Sequence, residues 1–207
     1  MISVTGLILA AGKSQRMGRS KLLLEYQGKT FLEHLCEEAR GSLLTDLRIV
    51  VGYQAEEVQA RFPGLSGCWV VNSRHEEGQF SSIQCGLNAL KESFPDGVML
   101  LLIDHPFVDR HLINLLLESF AGDPNQIVLP TYGERRGHPV IFPKSLYAEL
   151  LAAPLERGAS AVVRRHENKI LRVPVGNPEV LIDIDTPEDY ARYVARAEAK
   201  KDDGGRP

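Results

Sequence analysis

Residues 98–103 read Val-Met-Leu-Leu-Leu-Ile, and the next residue is Asp104. A strand made of such a run has apolar side chains on both faces, so both faces must be covered. Strands of that kind belong to parallel sheets flanked by helices, and this constrains the fold more than any other segment does. The remaining pattern agrees with it. Val4 to Leu9, Leu47 to Val51, Cys68 to Val71 and Gln126 to Pro130 read as strands, as do Pro139 to Phe142, Lys169 to Val173 and Val180 to Asp185. Helical spacing runs over Phe31 to Arg40, Ala55 to Arg61, Ser81 to Ser93, Asp109 to Phe120, Ser145 to Leu151 and Ala159 to Arg165. A closing helix is expected from Pro187 to Ala197, with Thr186 as N-cap and Pro187 at the first helical position. The fold class is therefore α/β, with a doubly wound, mostly parallel sheet.

A length of 207 residues suits one such domain, expected over residues 1–198, with the polar tail 199–207 expected to be disordered. The net charge of −3 disfavours a general nucleic-acid binder, which normally carries a basic excess. Cys36, Cys68 and Cys85 form no Cys-x-x-Cys pair and read as reduced thiols of a cytoplasmic protein. No apolar run is long enough to span a membrane, and no charged segment precedes the first apolar stretch as in a signal peptide.

Ligands of open α/β sheets bind beyond the carboxyl ends of the strands. Leu9-Ala10-Ala11-Gly12-Lys13-Ser14-Gln15-Arg16-Met17-Gly18-Arg19-Ser20-Lys21 begins at such an end. Its first residues are small enough for a ligand to approach the backbone. Gly12 and Gly18 allow turns with positive φ, which gather N–H groups around an anion. Lys13, Arg16, Arg19 and Lys21 add positive charge to an otherwise acidic chain. A triphosphate would use both features, whereas a solvated basic loop would need neither. The two glycines do not fit the dinucleotide fingerprint, and Leu7 stands where a P-loop needs its first glycine.

Asp104 ends the most apolar strand, where a carboxylate needs a partner or a metal. Capping the next helix is the other role open to it, but Asp109 is better placed for that. Asp183 and Asp185 would share one face of an extended strand and repel unless a cation or donor lay between them. Gly78, Ser81 and Ser82 lead into a helix, where either serine could act as cap. Gly52 ends the second strand. Arg136, Gly137 and His138 lie in a basic turn before Pro139. No histidine pair has zinc-ligand spacing, and no Gly-x-Ser-x-Gly elbow occurs.

The pattern Leu-Ala-Ala-Gly-x-Ser-x-Arg-Met-Gly-x-x-Lys resembles the signature of the MobA-like nucleotidyltransferases, and the likeness extends over nearly the whole chain. It implies a Rossmann-like nucleotidyltransferase fold. Gly12, Arg16 and Lys21 would contact the triphosphate, and the Leu9-Ala10-Ala11 backbone would line the nucleotide site. Gly18, Gly52, Gly78, Ser81 and Ser82 are further nucleotide-binding candidates. The resemblance makes Asp104 a Mg²⁺ ligand, although many relatives carry glycine where this chain has Ile103. Asp183 is favoured as the second ligand, with Asp185 beside it. Arg136, Gly137 and His138 fall on the acceptor side, and Arg16, Lys21 and Asp104 would carry the chemistry. The Ala-Ala-Gly form and the later Asp-x-Asp-Thr-Pro-Glu-Asp segment are similar to the molybdenum cofactor cytidylyltransferases. That implies CTP as donor, molybdopterin phosphate as acceptor, and a molybdoenzyme as eventual partner. Guanylyltransferase, sugar-phosphate nucleotidyltransferase and non-catalytic cofactor carrier remain open as alternatives.

Overall fold

The structure is a computed structural model and describes residues 2–194. It begins with β1 (Val4–Leu9), a small hairpin of β2 (Glu25–Tyr26) and β3 (Lys29–Thr30), and α1 (Phe31–Arg40). β4 (Asp46–Val51), α2 (Ala55–Arg61), β5 (Trp69–Val71), α3 (Gln79–Ala89) and β6 (Gly97–Leu102) follow. The second half contains α4 (Arg110–Gly122), β7 (Ile127–Tyr132), β8 (Arg135–Arg136), β9 (Val140–Pro143), α5 (Tyr147–Ala152), α6 (Gly158–Arg165), β10 (Ile170–Pro174) and α7 (Pro187–Asp189).

The main sheet has eight strands, ordered β10-β7-β9-β6-β1-β4-β5, with β8 paired to β7. The pairs of β1 with β4 and β6, of β4 with β5, and of β7 with β10 are parallel. β9 runs antiparallel between β6 and β7. The expected doubly wound, mostly parallel sheet is present, in one domain. Every residue of β1 and β6 is buried, as the apolar run required. Alternation divides β6 between two cores. Met99 and Leu101 pack with Leu32, Leu35, Ile113 and Leu116 on the side of α1 and α4. Val98, Leu100 and Leu102 pack with Ile83, Leu87, Leu150 and Val162 on the side of α3, α5 and α6. The second layer lies so close that a Cβ at Gly86 would come within 2.5 Å of Leu7 Cδ2.

A third cluster of Met17, Leu24, Tyr26, Phe31, Ile184 and Val194 ties the loop after β1 to the C-terminal segment.

Two expected elements differ. α3 begins at Gln79 and ends at Ala89, so neither Ser81 nor Ser82 caps it. Gly78, with φ 94°, holds that position. Residues 180–185 do not form a strand. Pro178–Leu181 is a 3-10 turn, started by the Asn177 side chain accepting from Glu179 N–H at 3.0 Å. Val180 C=O then accepts from His138 N–H at 3.0 Å, a crossing contact rather than part of a ladder. Thr186 does cap α7, reciprocally with Asp189, and a π turn continues it over Tyr190–Val194. The last residues of the expected closing helix and the tail 199–207 lie outside the described residues.

Candidate active site

In the sheet, β4 lies on one side of β1 and β6 on the other, so the chain reverses direction of winding at β1. A crevice opens at the carboxyl end of such a switch point. Here it is a cavity of about 510 Å³. Its lining includes Leu9 at the end of β1, Ala10, Ala11, Gly12, Arg16 and Lys21 from the loop, Gly78 at the cap of α3, Ser82 from α3, and Asp104 and Asp185. Gly18, Gly52, Ser81 and Asp183 are not part of that lining.

The loop is held by its own bonds. Ala10 N–H donates to Val50 C=O at 2.8 Å, extending the pairing of β1 by one residue. Ser14 takes a left-handed conformation, φ 50°, and its Oγ accepts from Lys21 N–H at 3.1 Å. Gly18 turns the chain back with φ 71°. Gly12 has ordinary φ, and nothing lies within 4 Å of where its Cβ would be. Its missing side chain leaves space open to the cleft and is not needed for the turn. Met17 anchors the loop below in the third cluster.

The four cations of the loop separate. Lys21 Nζ is 3.1 Å from Asp104 Oδ2 and 2.5 Å from Asp185 Oδ1. Arg16 reaches Asp185 Oδ2 at 2.7 Å. Lys13 pairs with Glu76 at 2.5 Å on the cleft wall. Arg19 turns away and lies over the Tyr190 ring, 5.2 Å from its centroid. Lys21 is buried, and an ammonium can be buried there because two carboxylates meet it.

Asp104 is oriented from both ends. Its backbone C=O accepts from Ile184 N–H at 2.8 Å, bringing the C-terminal segment to the end of β6. Its Oδ1 lies 3.0 Å from Nδ1 of the buried His105. Burial alone would raise the Asp104 carboxyl pKa. The His105 hydrogen bond and the Lys21 charge outweigh burial and hold it below the usual carboxylate range. The C-terminal segment separates the two other carboxylates that extended geometry would have put together. Asp183 is exposed, whereas Asp185 faces Lys21 and Arg16. Asp185 N–H and Thr186 N–H both donate to Asp189 Oδ2, at 3.2 and 2.9 Å, and fix that orientation.

Gly52 does not border the cleft, because a Cβ there would lie 2.4 Å from His75 Cβ. His75, which the sequence did not single out, lines the cavity in its place. His105 was also missed, although it follows Asp104 directly.

A second cavity of about 510 Å³ adjoins the first, with Gly78 and Gln79 lining both. Arg136, Gly137 and His138 border it, and Leu100, Leu102 and Phe142 contribute apolar walls. Gly137 is tightly placed, since a Cβ would come within 2.5 Å of Val180 C=O. Arg136 is paired with Glu167 at 2.5 Å. The His138 ring stands 4.8 Å from that of His105, and its buried Nδ1 has no partner among the described residues. Burial, with the neighbouring His105, pushes the His138 pKa down to about 4.

A doubly wound sheet with a basic loop and carboxylates at its switch point is the construction of a nucleotide-handling α/β enzyme. Residues 6–170 match the MobA-like NTP transferase domain, and the chain belongs to that family of nucleotidyltransferases. The chain is 22% identical over 191 residues to the molybdenum cofactor cytidylyltransferase of Escherichia coli K12, covering 92% of this chain and 95% of that protein. It is 28% identical over 200 residues to nicotine blue oxidoreductase of Paenarthrobacter nicotinovorans, covering 92% and 96%. A probable molybdenum cofactor guanylyltransferase of Methanosarcina acetivorans is 31% identical over 141 residues, covering 65% and 60%. Among solved structures, Rv0371c of Mycobacterium tuberculosis H37Rv superposes with a TM-score of 0.80 at 27% identity, covering 94% of this chain and 98% of that one. A manganese complex of Rv0371c matches with a TM-score of 0.74 at 26% identity, covering 93% and 98%. No helix among the described residues is long and apolar enough to cross a membrane.

Proposed function

We propose that the protein transfers CMP from CTP to the terminal phosphate of molybdopterin and releases pyrophosphate. The observation that carries this reading is the convergence of Lys21, Arg16, Asp104 and Asp185 at the mouth of the β1 loop. Similarity to the Escherichia coli cytidylyltransferase over nearly the full length of both chains supports the choice of base and acceptor.

The Gly12 opening and the loop N–H groups receive the triphosphate, and Arg16 and Lys21 neutralise its β- and γ-phosphates. An acceptor phosphate oxygen from the second cavity attacks the α-phosphorus in line. The bond from that phosphorus to the bridging oxygen breaks, and pyrophosphate departs with the electron pair. The acceptor is already ionised, so no general base is required. Arg136 and His138 line that second cavity, and the Arg136 charge supports reading it as the entrance for an anionic acceptor.

The donor set fits a hard divalent cation. Asp104 and Asp185 supply carboxylate oxygens that already meet at one positive charge, the Lys21 ammonium. No group of three or more metal-type side chains occurs among the described residues. Mg²⁺ commonly takes only one or two carboxylates and completes its shell with water and phosphate oxygens. When bound, it would neutralise charge at the α-phosphate. The protein's own contribution is then positioning and electrostatics.

The test is pyrophosphate release measured with CTP and GTP, with molybdopterin or a sugar phosphate as acceptor. CTP with molybdopterin should be preferred, and Asp104→Ala should abolish release while retaining the fold. Release with a sugar phosphate alone would overturn the acceptor, and preference for GTP would overturn the base.

A further inference from the structure

Each oxygen of the Asp104 and Asp185 carboxylates already meets a group of the protein itself. Asp104 Oδ1 lies 3.0 Å from His105 Nδ1, and Asp104 Oδ2 accepts from Lys21 Nζ at 3.1 Å. Asp185 Oδ1 accepts from the same Nζ at 2.5 Å, and Asp185 Oδ2 meets Arg16 at 2.7 Å. Of these groups, Lys21 alone touches both carboxylates. The charges of Lys21 and Arg16 cancel those of Asp104 and Asp185, so the cluster offers no net attraction to a cation.

A divalent cation cannot simply join this cluster. Mg²⁺ sits about 2.1 Å from a carboxylate oxygen. Bound to Asp185 Oδ1 it would lie within about 4.6 Å of the Lys21 ammonium, and bound to Asp104 Oδ2 within about 5.2 Å. Like charges that close repel, and Lys21 is buried, where water and salt screen little. The ammonium must therefore leave before the metal binds well. Leaving with nothing to receive it would strand a buried charge. A triphosphate supplies the receiver, since Lys21 and Arg16 both line the cavity beside the Gly12 opening.

We infer that Lys21 is an internal lock on the metal position: it keeps Asp104 and Asp185 closed to a divalent cation until the phosphates of a bound nucleotide draw it away. Nucleotide and metal are then linked, and each tightens the binding of the other by the same factor. This inference rests on the assignment of the metal to Asp104 and Asp185, and adds the group that decides when it binds.

Mn²⁺ is the probe, on the full chain carrying ¹³C at its aspartate carboxyls. A Mn–¹³C hyperfine coupling appears only where an aspartate ligates the ion, so Mn²⁺ held by nucleotide alone gives none. Asp104→Asn supplies the background from exposed aspartates. Wild type should show only that background with Mn²⁺ alone, and a coupling well above it once CTP is added. Lys21→Met should show the coupling without nucleotide, with a Kd for Mn²⁺ at least about tenfold below that of wild type. If Lys21→Met does not fold, wild type with and without nucleotide decides. Equal coupling in those two wild-type samples would overturn the inference and leave the metal assignment standing. So would coupling in Lys21→Met that no nucleotide can produce in wild type. Coupling with GTP but not with CTP would overturn the CTP reading and leave the lock standing. No coupling in either protein, with any nucleotide, would overturn the metal assignment and the lock together.

Discussion

Lys21→Met removes the ammonium from between Asp104 and Asp185 while keeping most of the side-chain volume. Two attractions are lost, at 3.1 Å and 2.5 Å. With an effective dielectric of about 20, these amount to roughly 5 and 7 kcal/mol before desolvation is counted. Most of that gross attraction offsets the cost of taking three charges out of water. Deleting one member of a buried pair typically costs about 3–5 kcal/mol, because the remaining charges are stranded. Here Arg16 and His105 still hold the carboxylates, and both keep about a fifth of their side-chain exposure, 20% and 22%. A net loss of about 3 kcal/mol is therefore expected, lowering Tm by roughly 6–12 °C in a domain of this size. The stranded carboxylates should also become a better cation site. In EDTA the variant should melt well below wild type. With about 1 mM Mn²⁺ it should regain more than half of the difference, as expected if the cation is present at about 100 times its Kd. Wild type should gain less from the cation without nucleotide, since Lys21 already fills the position. Scanning calorimetry with and without the metal measures both effects. A Tm within about 2 °C of wild type in EDTA, or equal gains from Mn²⁺ in the two proteins, would refute the reasoning.

Further outcomes follow from the same geometry. Asp185→Asn should lower transfer by about a hundredfold or more, the scale of a lost electrostatic contact at a reacting site, whereas exposed Asp183→Asn should stay near wild type in steady-state assays. His138 has its pKa pushed down to about 4 from an ordinary 6.5, so the unfolded chain binds the extra proton in that window. Stability should accordingly fall as pH drops from about 6.5 to about 4, and His138→Phe should flatten that part of a denaturation-versus-pH curve. Thr186→Ala removes the cap of α7 and should cost about 1 kcal/mol by denaturant titration. It should also lower transfer, because the same turn aims Asp185.

How much of this was visible in the sequence depended on whether an element is set locally. The run of residues 98–103 had only one reasonable home, and the helical spacing of Phe31 to Arg40 coincides with α1, which the structure shows closed by a capping box of Thr30 and Glu33. The loop after β1 was legible for a similar reason, since its small and charged residues are contiguous. The pairing partner of β9 was not legible. Its antiparallel place between β6 and β7 depends on contacts remote in sequence. Residues 180–185 misled for a physical reason. They alternate as a strand would, but Pro178 and the Asn177 cap begin a turn, and the alternation ends with Asp183 and Asp185 apart.

The third cluster joins Met17, in the loop after the first strand, to Ile184 and Val194 near the end of the described chain. During synthesis the basic loop is therefore made before its carboxylate partner Asp185, which follows Lys21 by 164 residues. A growing chain would carry Arg16 and Lys21 without the acidic group that later meets them. Until Asp185 is made, those two cations of the loop lack the carboxylate that they share in the folded chain.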